Sequence, residues 1–192
     1  LKILISSMLN LTKFDNGTIE IHYQLFPIQD LAFRTILMFE SRLEKRNITL
    51  EGLDSEPVQV WGDPDLIGQV IYNLFENATK FVNTGGTITF TFKDEPNSTS
   101  IAIRNTGAGI SKEELPKIFE RFYKSDDSRS HDKTGLGIGL DITKHIVRLH
   151  KAQISVSSEE GEYTEFLIRL PKKDAPAESP TENPEKQPKD AR

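Results

Sequence analysis

Between residues 18 and 170 the apolar side chains switch repeatedly between a period of two and a helical period, and this switching is the feature that most restricts the fold. Period two predicts strands, and spacings of three and four predict helices. The predicted strands cover residues 18–25, 48–52, 58–61, 87–93, 100–104, 153–157 and 163–170, and the predicted helices cover residues 27–43, 64–81 and 136–150. Because the longer strands come as hairpins, we expect an α/β two-layer sandwich whose mixed, mostly antiparallel sheet is covered on one face by three helices.

The two ends of the 192-residue chain differ in composition from this central part. Apolar residues at spacings of three, four and three favour the end of a bundle or coiled-coil helix, and they are Leu1, Leu4, Met8 and Leu11. Residues 171–192 hold five of the ten prolines and ten charged side chains, too little apolar surface for a core. We therefore expect a helix at 1–16 cut from a longer hairpin, a folded domain at 17–170, and a disordered Pro-rich charged tail at 171–192.

Composition excludes several classes of function. The formal charge is −5, from 24 basic and 29 acidic residues, so no global basic field indicates nucleic acid as a partner. The chain has no cysteine, which excludes thiolate zinc sites, redox pairs and cysteine nucleophiles, and fits a reducing compartment. No apolar run approaches the roughly 18 residues that cross a bilayer. We expect this piece of chain to be soluble.

The predicted helix at residues 64–81 has two distinct faces. Its apolar stripe consists of Leu66, Val70, Ile71, Leu74 and Ala78. A second face groups Asn73, Asn77, Lys80, Phe81 and Thr84 at spacings of three and four. Amide oxygens suit Mg²⁺, which also retains water and phosphate oxygens, and an ammonium group attracts phosphate. Spacing alone favours an ordinary solvated helix face, so both interpretations stay open at this point.

Two glycine-rich segments, residues 105–110 and 134–140, lie at the ends of predicted elements. Their glycines are Gly107 and Gly109 in the first segment, and Gly135, Gly137 and Gly139 in the second. Glycine permits a ligand to approach the backbone, but a tight strand-to-helix turn explains the first segment equally well. Glycine inside a helix costs about 1 kcal/mol relative to alanine. Backbone N–H groups that cradle a phosphate give that cost a reason, although such a motif alone is weak evidence.

The segment between the glycine-rich stretches changes character halfway. Residues 116–124 are aromatic and apolar in part, and residues 125–133 are almost wholly polar. The combination predicts a hinged lid anchored by Phe119 and Phe122. A surface loop is the alternative.

Taken in this order, the segments resemble the ATP-binding catalytic domain of sensor histidine kinases, in the GHKL superfamily with type II topoisomerases, MutL proteins and the large heat-shock chaperones. The resemblance covers residues 17–170. It identifies residues 65–81 as the asparagine box, 105–110 as the first glycine box, 119–123 as the phenylalanine box and 135–140 as the second glycine box. It implies a Bergerat-type ATP-binding fold with ATP and Mg²⁺ as cofactors. Residues 1–17 are similar to the end of the second helix of the dimerisation and phosphoacceptor hairpin.

The resemblance also implies roles for individual residues. Asn77 is the expected Mg²⁺ ligand, Lys80 contacts phosphate, and Phe81 takes the place of a ring that stacks on adenine. The other expected nucleotide-binding residues are Asn105, Gly107, Gly109, Ile110, Phe119, Thr134, Gly135, Leu136, Gly137, Gly139 and Leu140. Phosphoryl transfer is assigned to Asn73, Lys80 and Lys124, the last of which would reach the γ-phosphate or the acceptor helix.

Three positions are informative because of what the family carries there. Hydrolysing relatives have a glutamate where Asn73 stands, and since an amide is a poor general base, transfer to a protein nucleophile is favoured over hydrolysis. Asn105 replaces an aspartate that accepts a hydrogen bond from the adenine amino group. A neutral acceptor makes a weaker bond, so we expect weaker and less selective ATP binding. Residues 150–152 replace His-Gly-Gly, a change expected to cost stability only.

None of the four histidines lies in surroundings typical of a phosphoacceptor; they are His22, His131, His145 and His150. The predicted function is therefore that of a protein-histidine kinase catalytic domain, unable to autophosphorylate without the acceptor hairpin. The expected partners are ATP, that hairpin, a response regulator and a second subunit in a full-length homodimer, on the cytoplasmic side of a membrane. A nucleotide-binding signalling module without kinase activity is the alternative, and a GHKL ATPase is a weaker one.

Overall fold

A computed structural model describes residues 19–124 and 137–173. Within these ranges the chain forms ten elements. They are β1 (Gln24–Pro27), α1 (Ile28–Lys45), β2 (Thr49–Glu51), β3 (Gln59–Gly62), α2 (Pro64–Phe81), β4 (Thr87–Asp94), β5 (Ser98–Thr106), α3 (Gly139–Leu149), β6 (Gln153–Glu159) and β7 (Tyr163–Pro171). The order of helices and strands is the one that the hydrophobic pattern predicts.

The strands form a five-stranded sheet and a separate pair. The large sheet has the order β2-β4-β5-β7-β6, with β2 parallel to β4 and the other neighbours antiparallel. Strands β1 and β3 pair only with each other in the described chain. The core lies between the large sheet and the three helices, so the predicted two-layer α/β sandwich with a mixed, mostly antiparallel sheet is confirmed.

Helix α2 owes its limits to local sequence. The carboxylate of Asp63 accepts hydrogen bonds from the N–H groups of Asp65 and Leu66 at 3.0 and 3.1 Å, and Pro64 occupies the first turn. At the other end the guanidinium of Arg46 donates to the carbonyls of Thr79 and Val82. These bonds satisfy groups that a helix end otherwise leaves without partners. Both ends of α2 are therefore fixed.

Helices α2 and α3 are joined at two places. The side-chain amide of Asn73 donates to the carbonyl of Gly139 at 3.0 Å, near the start of α3. At the end of α3 the buried imidazole of His150 accepts a hydrogen bond from the N–H of Asp63 at 3.1 Å, and its Nδ1 lies 2.8 Å from the carbonyl of Ile146. Because the middle of α2 meets the start of α3 and its beginning meets the end, the helices run antiparallel.

Several boundaries differ from the predictions. Strand β1 begins at Gln24 instead of residue 18. Its partner β3 ends at Gly62, directly before the residue that caps α2, so the residues before Gln24 have no strand of the described chain to pair with. Helix α3 begins at Gly139 instead of residue 136, since Gly137 has a φ of +67° that no helix accommodates. Strand β7 includes Pro171, one residue of the expected tail.

The expected helix at 1–16 and nearly all of the expected tail lie outside the described residues. No helix of the described chain is both long and apolar enough to span a membrane.

Candidate functional site

The asparagine-box side chains do not share one environment. Asn77 and Lys80 are half-buried, and the ring of Phe81 is 39% exposed at the end of α2. Lys80 forms an ion pair with Glu76 at 3.3 Å, one turn earlier on the helix. Asn73, by contrast, is buried. The prediction that Asn73 lies with the others on one open face is therefore wrong.

Burial of Asn73 follows from the packing of α2 against α3. In addition to its bond to Gly139, its amide nitrogen lies 3.4 Å from the hydroxyl oxygen of Thr143. A side-chain Cβ at Gly139 would lie 3.7 Å from the Asn73 side chain, so the two helices approach closely here. The side chain thus links the asparagine box to the second glycine box. In both contacts its amide nitrogen acts as the donor, which is not what a general base does.

The first glycine box begins in the last two residues of β5 and touches the end of α2. Val82 and Gly107 form an antiparallel bridge, and the N–H of Gly107 donates to the carbonyl of Glu162 at 3.0 Å. A Cβ at Gly107 would overlap the carbonyl oxygen of Phe81, so only glycine permits this approach. Gly109 lies against the backbone of Glu159 in the same way.

Two further residues complete this box. The N–H of Ile110 donates to the hydroxyl of Ser158 at 2.8 Å. Asn105 is buried, 4% exposed, and its amide nitrogen donates to the carbonyl of Thr106 at 3.1 Å. That bond leaves the side-chain oxygen of Asn105 as the atom with which the residue can accept a hydrogen bond from a ligand.

The phenylalanine box is held by one aromatic ring, not by two. Phe119 packs edge-to-face on Phe166 with 6.2 Å between ring centroids. The ring of Phe122 is 65% exposed, so its predicted role as a second buried anchor is wrong. Its backbone has a φ of +65°, in the left-handed region that side-chain-bearing residues adopt rarely. Tyr123 donates to the carboxylate of Glu114 at 3.2 Å.

The phenylalanine box also contacts the second glycine box. The N–H of Phe122 donates to the carbonyl of Gly137 at 3.0 Å, and Arg121 forms an ion pair with Asp141 at 2.8 Å. Half-buried Lys124 is the last described residue before the gap. Thr134, Gly135 and Leu136, and the polar half of the predicted lid at residues 125–133, lie outside the described residues, whereas Leu140 packs against the core.

The four boxes are therefore in contact through specific groups, although 53 residues lie between the end of the first box and the start of the last. Sequence reasoning missed Asp63, Glu114, Arg121 and Asp141, whose bonds join these boxes and their supporting loops. Only Asp63 carried a usable signal, since an aspartate directly before Pro64 is typical of a helix start.

The oxygen atoms available here fit a metal ion that binds together with a phosphate compound. In residues 19–124 and 137–173 no three carboxylate or imidazole groups cluster as a metal site. Asn77 offers one half-buried amide oxygen, and Mg²⁺ commonly takes one or two protein ligands and completes its shell with phosphate oxygens and water. Asn77 and the start of α3, where helix N–H groups favour an anion, suit that combination.

A comparison with protein families identifies a matching family model. The family model described as "Histidine kinase-, DNA gyrase B-, and HSP90-like ATPase" matches residues 62–174. That range contains all four boxes.

Curated relatives and solved structures point the same way. The sensor protein SrrB of Staphylococcus aureus is 32% identical over 170 residues, which cover 88% of this chain and 29% of that relative's length. The catalytic domain of histidine kinase ThkA matches with a TM-score of 0.67 and 27% identity, over 78% of this chain and 95% of that one. Acinetobacter baumannii histidine kinase AdeS matches in fold with a TM-score of 0.73 and 22% identity, over 90% of this chain and 79% of that one.

Proposed function

Because the chain belongs to the family of histidine kinase-, DNA gyrase B- and HSP90-like ATPases, whose domain binds ATP, we propose that it is the catalytic domain of a sensor histidine kinase. In this proposal it transfers the γ-phosphoryl group of Mg-ATP to a histidine on a dimerisation hairpin. The contact of the four boxes around α2 and the start of α3 is the observation that carries the proposal. Such transfer depends chiefly on positioning and on neutralising charge.

Each part of the nucleotide has a proposed set of residues. Asn77 holds Mg²⁺, which neutralises phosphate charge when bound, and Lys80 exchanges its carboxylate partner for a phosphate oxygen. Adenine lies beside Phe81, and its amino group donates a hydrogen bond to the side-chain oxygen of Asn105. The further residues of the pocket are Gly107, Gly109, Ile110, Phe119, Thr134, Gly135, Leu136, Gly137, Gly139 and Leu140, and Lys124 meets the γ-phosphate.

Asn73 supports transfer over hydrolysis. Its amide is a weak base, and its nitrogen is engaged with Gly139. A group in that position orients α3 instead of activating water. We propose for Asn73 a positioning role in the transfer.

The proposed partners follow from relatives that are longer than this chain. The chain spans 29% of the length of SrrB, so the acceptor hairpin, the homodimer and a position on the cytoplasmic side of a membrane are proposals for the whole protein. One solved structure shows histidine kinase ThkA in complex with response regulator protein TrrA, with a TM-score of 0.66 and 24% identity to this chain. We propose a response regulator as the partner that receives the phosphoryl group.

Transfer to a separate hairpin tests the function. The chain is incubated with labelled ATP, Mg²⁺ and a dimerisation hairpin from a related kinase, and the label on the hairpin is followed. We expect label that is labile in acid and stable in base, as for phosphohistidine. Asn77→Ala should abolish it, whereas Asn97→Ala, which changes an exposed asparagine in the β4–β5 turn, should not.

The other outcomes separate the alternatives. ATP binding without label on any of several hairpins would favour a signalling module without kinase activity. Free phosphate without labelled protein would favour an ATPase. Either result contradicts the proposed kinase.

A further inference from the structure

The ion pair between Arg121 and Asp141 joins the phenylalanine box to the first turn of α3, twenty residues later in the sequence. Nε of Arg121 lies 2.8 Å from Oδ2 of Asp141. The Asp141 side chain is only 9% exposed, and the Arg121 side chain is 38% exposed. A charge-assisted bond with one largely desolvated partner is worth more than an ordinary surface pair.

A second connection lies beside this ion pair. The N–H of Phe122 donates to the carbonyl of Gly137 at 3.0 Å. A Cβ at Gly137 would lie 2.8 Å from the carbonyl oxygen of Tyr123, so the two backbones are in direct contact. One main-chain bond permits rotation about itself, whereas a main-chain bond and an ion pair together fix a direction.

Asp141 also faces groups of its own helix. It lies in the first turn of α3, where the helix dipole stabilises a carboxylate. Nδ1 of His145, one turn later, is 3.4 Å from Oδ1 of Asp141. The position of Asp141 is therefore fixed by its own helix and does not depend on Arg121. The main effect of the ion pair is to fix the position of the phenylalanine box.

We propose that Arg121 and Asp141 are a positioning pair for the triphosphate. They hold residues 121–124 against the first turn of α3, so that Lys124 and the N-terminal groups of α3 face the same phosphates. The inference rests on the proposed ATP-binding function and assigns neither residue a contact with nucleotide. Since Phe81, Asn105 and Gly107 lie on other segments, the base end of the site does not depend on this pair.

Comparing ATP binding with adenosine binding therefore distinguishes a positioning role of the pair from a general role in stability. Loss of the ion pair should weaken binding of ATP by about tenfold, the effect of one lost charge-assisted bond, and leave adenosine binding unchanged. A general loss of structure would weaken both ligands together.

The experiment is calorimetric titration of the chain with Mg-ATP and with adenosine, alongside thermal melts. The variants are Arg121→Gln, Asp141→Asn and the double variant that carries both substitutions. Lys172→Gln, which removes the exposed 2.7 Å ion pair to Asp94 at the far end of β7, is the matched control. We expect the single variants to lose about tenfold in ATP affinity only, and the double variant to lose no more than either single variant, because both substitutions remove the same ion pair. The control should match the parent chain.

Three results would overturn the pair. They are parental ATP affinity in both single variants, equal losses for ATP and adenosine, and additive losses of ATP affinity in the double variant. If the single variants do not fold, Arg121→Lys keeps the charge but not the Nε bond, and equal losses of ATP and adenosine affinity in that variant overturn the inference. A folded parent chain that binds adenosine and not ATP, or neither, would refute the proposed function and the pair with it.

Discussion

Replacing Asn105 by aspartate tests how the site recognises the base. In the proposed complex the Asn105 oxygen accepts a hydrogen bond from the adenine amino group, because its nitrogen is engaged by Thr106 at 3.1 Å. The side chain is 4% exposed, so water does little to screen a new charge there. Asparagine, as a neutral acceptor, should leave the natural chain a weaker and less selective binder of ATP than its Asn105→Asp variant.

The magnitude follows from the bonds involved. A hydrogen bond to a charged group contributes about 1 kcal/mol more than a neutral one, so Asn105→Asp should strengthen ATP binding about fivefold. Guanine presents a carbonyl where adenine has its amino group, and a buried acceptor left without a donor costs about 1–3 kcal/mol. Because that cost applies to asparagine and to aspartate alike, the ratio of ATP to GTP affinity should rise by at least about fivefold, the gain for ATP alone.

The substitution also carries a cost in the free protein. A carboxylate cannot donate to the Thr106 carbonyl, so the free energy of unfolding should fall by about 1–2 kcal/mol. Calorimetric titrations with ATP and GTP measure the selectivity, and urea unfolding measures the cost. Asn97→Asp, an exposed change of equal charge, is the control. Unchanged affinities for both nucleotides in a folded Asn105→Asp variant would refute the role given to this side chain.

Four other predictions concern the scaffold. Gly107→Ala should lower the free energy of unfolding by more than about 2 kcal/mol, because the new Cβ overlaps the Phe81 carbonyl. Gly68→Ala, inside α2, should raise it by about 0.5–1 kcal/mol, because a Cβ there lies 3.7 Å from its nearest neighbour. Urea unfolding of both variants measures these changes. Asn73→Ala should lower the free energy of unfolding by about 1–3 kcal/mol through the lost bond to Gly139, and equal stability would contradict that bond. The hydroxyls of Ser98 and Ser100 lower the pKa of Glu95, so its stabilising effect is present above the unfolded-state pKa and is lost as pH falls through the lower folded-state value. Glu95→Gln should accordingly destabilise slightly at neutral pH and not in strong acid, and a difference between the two proteins that is independent of pH would refute this.

The sequence predicts well what depends on local pattern. Helix α2 begins at Pro64 and ends at Phe81 as predicted, because its apolar stripe, its proline and its cap all act within one segment. The hairpin strands β6 and β7 likewise follow from alternation of apolar and polar residues.

Predictions fail where a distant segment decides the outcome. The alternation before β1 favours a strand from residue 18, but a ladder needs a partner, and β3 has only four residues. Asn73 has the spacing of an open helix face, yet α3, nearly seventy residues later, covers it. No periodicity relates Arg121 to Asp141, since the bond depends on where two turns meet.

The antiparallel pairing of α2 and α3 has a consequence for how the domain responds to its ligand. The hydrogen bonds of Asn73 with Gly139 and of Asp63 with His150 connect the two helices at two separate points. Neither helix can slide or pivot alone, so the spacing between Asn77 and the first turn of α3 is set during folding and not by the arriving nucleotide. Backbone amides in both helices should therefore exchange hydrogen slowly before and after binding, and the response to a ligand should be confined to the loops around them.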